Sequence, residues 1–106
     1  MKTILATIVA ISLAGVSSTV TAAPAQHAYR GHELAKMAKI TMAQARTIAL
    51  KSRHGTVTDA ELEREAGGSG LRYSFDIRSH GRPFEVGVDA ISGAVLENKA
   101  EGRHPD

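Results

Sequence analysis

Residues 71–97, LRYSFDIRSHGRPFEVGVDAISGAVLE, carry the pattern that decides the fold. Apolar and polar residues alternate over 71–78 and again over 84–89, and this period of two is typical of half-buried β-strands. The polar residues at 79–83 predict a hairpin loop, and a turn at 89–93 leads into a short strand at 94–97. The stretch therefore predicts antiparallel strands with one apolar face. That face is expected to hold Tyr73, Phe75, Ile77, Val86 and Val88.

The residues before this stretch predict one more strand. Acidic residues at 59, 61, 63 and 65 alternate with Ala60, Leu62 and Arg64, which places Leu62 on the apolar face. Val57 is out of phase with this alternation, so a β-bulge is expected near Thr58. Residues 67–70, GGSG, are expected to form a hairpin loop. Their amides could also cradle a phosphate, but the Lys-Ser/Thr pair and the following helix of a P-loop are missing.

One amphipathic helix is predicted over 40–55. Thr41 and Gln44 have the spacing of a capping box, and Gly55 stands where a left-handed C-cap belongs. Ala45, Ile48 and Ala49 share one face and are expected to cover the apolar face of the sheet. The predicted fold is α+β, with one main amphipathic helix packed on an antiparallel meander of three to four strands.

The first residues have the three parts of a secretory signal peptide. Lys2 is followed by an apolar run over 4–16 and then by small residues, and the run is too short to span a membrane. We expect 1–22 to be a signal peptide, cleaved after Ala22 or Ala23. Residues 23–39 form an N-terminal segment in which 32–39 could be a short helix, 40–98 the folded domain and 99–106 a polar tail. The expected location is periplasmic or secreted, with no membrane anchor after cleavage.

Composition excludes several classes of protein. The 106 residues include no cysteine, which rules out disulfides, zinc–thiolate sites, a cysteine nucleophile and a lipidated cysteine. The net charge is only +2, and no basic stripe with interleaved aromatic residues is present, so a nucleic-acid partner is not expected.

The order of these segments resembles the PepSY domain family. The matching pieces are ITMAQARTIAL, Gly55, VTDAELERE, LRYSFDI and FEVGVDAISGAVLE, and they cover residues 40–98. The most specific is VDAISGAV at 88–95, which fits the family pattern VDA-x-[TS]-G-x-V. In this turn Asp89 is expected to cap backbone amides and Gly93 to supply a positive φ, so both roles are structural.

The resemblance implies an exported binding module that is not an enzyme. PepSY domains occur in propeptides of secreted metallopeptidases, in membrane proteins and as small exported proteins. The chain has no His-Glu-x-x-His motif, because His32-Glu33 is followed by Leu-Ala-Lys. The family therefore implies a protein or extended-peptide partner, and regulation or inhibition of a peptidase in trans.

The polar face of the sheet is the predicted partner surface. It is expected to be exposed, to bind in a salt-sensitive way, and to lie on a domain without a deep apolar cleft. Its candidate residues are Glu61, Glu63, Arg72, Ser74, Asp76 and Glu85. Acid–base catalysis by the acidic row Asp59, Glu61, Glu63 and Glu65 is disfavoured, since on a solvent face no carboxyl pKa would be raised, and we expect the row to pair with Arg72 and Arg78 across the sheet.

An alternative function uses the histidines. A periplasmic metal- or stress-responsive protein could bind a metal through His27, His32, His54, His80 and His104. Their spacing is irregular, so no metal-binding, catalytic or cofactor-binding residue is predicted.

Overall fold

The computed structural model describes residues 28–102. The predicted signal peptide and its cleavage sites lie outside these residues, as do His27 and His104. A 3₁₀ helix at His32–Met37 is followed by helix α1 at Met42–Ser52. Four strands follow, β1 at Thr56–Arg64, β2 at Leu71–Ser79, β3 at Arg82–Asp89 and β4 at Val95–Ala100. They pair antiparallel in the order β1-β2-β3-β4, which confirms the predicted α+β meander.

The core lies between α1 and the apolar face of the sheet. Ala45 and Ala49 are fully buried, and their small side chains let α1 lie close to the strands. Ile48 is half-buried at the margin of this contact. The apolar sheet residues predicted from sequence are all buried: Leu62, Tyr73, Phe75, Ile77, Val86 and Val88.

The start of α1 is held by a capping box and by the sheet. The Gln44 N–H donates to Thr41 Oγ1 at 3.1 Å, and the Thr41 N–H donates to Gln44 Oε1 at 2.8 Å, as the sequence predicts. The backbone N–H of Ile40 donates to the carbonyl oxygen of Ala90 at 3.1 Å. This bond ties the residue before the cap to the end of β3.

The predicted helix end at Gly55 is wrong. Helix α1 stops at Ser52, and Arg53 caps it in an extended conformation with its N–H donating to Ala49. The glycine is explained by packing instead, because a Cβ at Gly55 would collide with the carbonyl oxygen of Arg78.

The connections between strands also depart from the expected loops. The β2–β3 connection is a turn of His80 and Gly81, whose φ angles are 51° and 75°, so both strands run further than the predicted loop at 79–83 allows. The bulge predicted near Thr58 is present, as a register shift between Val57 and Asp59. Strand β4 continues to Ala100, into the segment expected to be a polar tail.

The segment before α1 is attached to β1. Arg30 forms a parallel bridge with Glu61, and its carbonyl oxygen accepts from the Leu62 N–H at 2.9 Å. Gly31 has a φ of 86°, and a Cβ there would collide with the Leu62 carbonyl oxygen. Within residues 28–102, neither helix is long and apolar enough to cross a membrane.

Candidate functional site

The polar surface of the sheet lies opposite α1, and we call it the outer face. The strand register places all six predicted partner residues on it, because Glu61 pairs with Ser74, Glu63 with Arg72, and Asp76 with Glu85. Its acidic residues are Asp59, Glu61, Glu63, Asp76, Glu85 and Glu97, and its basic residues are Arg72, Arg78 and Lys99. The outer face is therefore net negative, although the chain as a whole is net positive.

Arg72 and Ser74 are not exposed, contrary to the sequence prediction. They are only 6% and 8% accessible, while Glu61, Glu63, Asp76 and Glu85 are half-buried. The Ser74 hydroxyl donates to Glu63 Oε1 at 2.9 Å. Neighbouring side chains on the same face thus shield one another without a covering layer.

The burial of Arg72 has a physical cause in the strand beside it. Its guanidinium lies against Gly87, where a Cβ would be 3.1 Å from Nη1. It donates to Glu97 Oε1 at 3.2 Å and to the Ala66 carbonyl oxygen at 3.1 Å, and its Nε lies 3.6 Å from a Glu65 oxygen. Arg72 is therefore an internal counter-charge that joins the β1–β2 loop to β4.

A carboxylate cluster occupies one end of the outer face. Oxygens of Asp76, Glu85 and Glu101 lie within 4.8 Å of one another. Loss of solvent, followed by the charge of Glu97 and a hydrogen bond with it, raises the pKa of Glu85 to about 7. A proton held on Glu85 near neutral pH relieves its repulsion with the neighbouring carboxylates. In the acidic row of residues 59–65, the expectation that no carboxyl pKa is raised is wrong for Glu65, because a hydrogen bond with Glu63 raises its pKa.

Asp89 organises the turn that carries the most specific sequence pattern. Its Oδ1 accepts from the N–H groups of Ile91 and Ser92 at 2.8 and 2.9 Å, and its Oδ2 accepts from the Ser69 N–H at 2.6 Å. Burial alone would raise the pKa of Asp89, but these backbone donors outweigh it and hold the pKa well below its ordinary value. Gly93 has a φ of 79° in the same turn.

The Asp89 carboxylate also bears on the phosphate hypothesis for the GGSG loop. It accepts a hydrogen bond from the Ser69 N–H, and a Cβ at Gly68 would collide with its Oδ2. The loop is therefore closed over a carboxylate of its own chain, which opposes binding of an external anion there.

A groove that the sequence did not predict lies on the helix side of the sheet. It is about 490 Å³ in volume and runs between the 3₁₀ helix and the first turn of α1. The domain was expected to have no deep apolar cleft because it has two layers and one uncovered face of the sheet. Its lining is Tyr29, His32, Ala35, Ala38, Lys39, Ile40, Thr41, Met42, Ala43 and Tyr73.

The histidines within residues 28–102 are spread over two places. His54 and His80 line a small pocket of about 250 Å³ together with Lys51 and Arg53, whose charges oppose a bound cation. His32 lies at the groove. In this part of the chain, no cluster of three potential metal ligands contains a histidine.

Comparison with known proteins connects this geometry to a family. The family model described as peptidase propeptide and YPEB domain, PepSY, matches residues 39–99. No curated protein and no solved structure matches the chain. The matched span is more than half of the chain and includes α1, nearly all of the four-stranded sheet and the turn built on Asp89. The chain belongs to the PepSY family.

Proposed function

We propose that this protein is an exported, non-enzymatic binding module that regulates or inhibits a peptidase in trans. PepSY domains are propeptide-like modules that occur in exported proteins. Propeptides act by contact with a protein, so the family points to a polypeptide partner rather than to a small substrate. The chain carries no His-Glu-x-x-His motif of its own on which such a module would act in cis.

The net negative outer face is the observation that carries this proposal. Helix α1 packs on the opposite side of the sheet, so the acidic side chains remain accessible from solvent. Asp59 is exposed, and Glu61 is partly so beside Arg30. A partner surface rich in lysine and arginine is complementary to this charge, and such complementarity chiefly speeds association and sets specificity.

Strand β4 offers a second element of recognition. It is the last strand of the sheet and pairs with β3, so its other edge can accept an extended peptide by strand addition. Lys99 and Glu97 lie on this strand and form an ion pair at 3.0 Å. A peptide bound at this edge would lie beside the acidic residues of the outer face.

Inhibition of a secreted metallopeptidase tests this function. The purified protein is titrated into metallopeptidases secreted by the same cell, and cleavage of a fluorogenic peptide is followed. Glu61→Lys with Glu63→Lys should weaken inhibition about tenfold, and raising the salt concentration should do the same. Glu33→Lys makes a similar charge change on the 3₁₀ helix and should have little effect.

The outcomes separate the proposal from its alternatives. Arg72 is not used in this test, because it is buried and reversing its charge would disrupt the fold. Absence of inhibition at any molar ratio would remove the peptidase-regulating role. Equal inhibition by the wild type and the outer-face variants would remove the outer face as the binding surface.

Export has its own test. We propose that residues 1–22 are removed on secretion, because the apolar run and small residues there fit a signal peptide. Intact-mass measurement of the periplasmic and culture fractions should give a chain that starts at Ala23 or Pro24. A full-length chain retained in the membrane fraction would contradict this.

A further inference from the structure

The groove beside α1 has the size of a ligand site. Its volume of about 490 Å³ falls within the range of pockets that hold drug-sized molecules or a few side chains. The 3₁₀ helix forms one wall, the first turn of α1 forms the other, and Tyr73 from β2 lines it from the sheet. The 3₁₀ helix lies outside the residues that the family model matches, and the outer face involves neither wall.

Both walls of the groove are anchored to the sheet. On one side, the Arg30 carbonyl oxygen accepts a hydrogen bond from the Leu62 N–H, and Gly31 packs directly on the Leu62 carbonyl. On the other side, the Tyr73 hydroxyl donates to the Ile40 carbonyl oxygen at 2.7 Å, and the Ile40 N–H donates to Ala90 at 3.1 Å. The groove is therefore preformed, and a ligand would not have to order its walls on binding.

The lining combines small apolar walls with positive charge. The apolar residues are Ala35, Ala38, Ile40, Met42 and Ala43. Lys39 and His32 are the basic side chains of the lining, and among residues 28–102 no carboxylate lines the groove. The first turn of α1 adds partial positive charge through the helix dipole. The groove is thus complementary to a ligand with an apolar body and one negative group.

We propose that the groove binds the free C-terminus of a polypeptide whose last residues are apolar. The α-carboxylate lies near Lys39, and the terminal side chains lie against the alanine and methionine walls. This inference takes only the polypeptide class of the partner from the proposed function, since the groove and the acidic outer face lie on opposite sides of the sheet and carry opposite charge.

Binding of defined peptides tests the groove directly. The probe is a dye-labelled hexapeptide ending in Leu-Phe with a free carboxylate, and the comparison is the same peptide with a C-terminal amide. Fluorescence anisotropy should show the free acid binding about tenfold more tightly, the equivalent of roughly 1.4 kcal/mol. Backbone amide shifts in NMR spectra should change at Ala35, Lys39 and Ala43, and not at Lys99 on the outer face.

Variants assign the effect to the groove. Lys39→Glu should weaken the free acid about tenfold and remove the preference over the amide. Lys36→Glu makes the same charge change on the 3₁₀ helix outside the lining, and should change affinity less than about twofold. Ala43→Leu fills the groove from an exposed position and should reduce binding of both peptides, with an unchanged circular dichroism spectrum.

Three results would overturn the inference. They are equal binding of the acid and the amide, no binding of either peptide at millimolar concentration, and amide shifts at Ala35, Lys39 and Ala43 on addition of dodecanoate but not of either peptide, which would make the ligand a fatty acid. The outer-face variants Glu61→Lys and Glu63→Lys should bind the peptide as the wild type does. The two proposals can therefore be tested separately: loss of peptide binding would reject the groove while peptidase inhibition is retained, and loss of inhibition would reject the proposed function while peptide binding is retained.

Discussion

Replacing Asp89 with alanine removes the acceptor of three backbone N–H groups in a single change. The carboxylate is 1% exposed and bonds Ser69, Ile91 and Ser92. A hydrogen bond to a charged group contributes about 1.5–3 kcal/mol, but the exposed Ser69 and Ser92 amides can regain water. We therefore expect Asp89→Ala to lower the free energy of unfolding by about 3–5 kcal/mol. This loss is a large part of the total free energy of unfolding of a small domain, which is roughly 5–15 kcal/mol.

Urea unfolding followed by circular dichroism at pH 7 measures this loss. Asp89→Asn keeps an acceptor for Ile91 and Ser92 but gives up the charge, and it should lose about half as much. Asp59→Asn removes an exposed carboxylate of β1 and should stay within about 0.5 kcal/mol of the wild type.

The pH dependence of Asp89 supplies a second readout. Because the folded state holds its pKa below the ordinary value of 3.8, the stabilisation is present above about pH 4 and is lost as pH falls through the folded pKa. The difference between Asp89→Ala and the wild type should therefore shrink in strong acid. An Asp89→Ala protein within 1 kcal/mol of the wild type at pH 7, or an Asp89→Asn protein equal to it, would refute this account of the turn.

Three further perturbations follow from the same contacts. Gly93→Val should lower the free energy of unfolding by about 1–3 kcal/mol, because Gly93 has a φ of 79° and a Cβ there would lie 3.3 Å from the Ile48 side chain. Gly102→Val is the control and should leave the melting temperature unchanged in thermal melts, since the space around Gly102 is open. Glu85 has a folded pKa of about 7 against 4.5. The folded state therefore holds the extra proton between these values, and stability should fall by about 1 kcal/mol as pH rises from 4.5 to 7.5, after allowing for solvent screening. Glu85→Gln should flatten that slope in urea titrations, and an unchanged slope would reject the raised pKa. Arg72→Ala should cost about 3 kcal/mol in the same assay because it leaves Glu97 without its buried partner, and a loss below 1 kcal/mol would show that the ion pair contributes little.

Local patterns predicted the elements of this fold because their signals lie within a few residues. The period-two alternation of β2 and β3 sets which side chains enter the core, and the Thr41–Gln44 spacing marks the start of α1. The helix end was wrong because Gly55 serves packing against Arg78 and not a helix cap. From the sequence alone, a glycine that caps a helix cannot be distinguished from one that permits close packing.

The site was harder to predict because it depends on which residues meet across strands. Alternation correctly put Arg72 on the outer face, but its burial depends on Gly87 in the neighbouring strand, which leaves room for the guanidinium. The raised pKa of Glu85 likewise depends on Glu97, brought close by the β3–β4 register. The groove depends on hydrogen bonds from the segment near Arg30 to β1, and no local sequence pattern predicts these bonds.

The order β1-β2-β3-β4 has a consequence for how quickly the chain reaches this structure. Every strand pairs with its neighbour in sequence, so the sheet forms by closing short loops whose entropic cost is small. We expect the β2–β3 hairpin to form early, since its two-residue turn at His80 and Gly81 needs the least closure. The bonds most distant in sequence, such as that from the Ile40 N–H to the Ala90 carbonyl oxygen, form when α1 docks. Stopped-flow refolding should then show a single phase, on the order of milliseconds for a mixed α/β domain whose strands pair in sequence order.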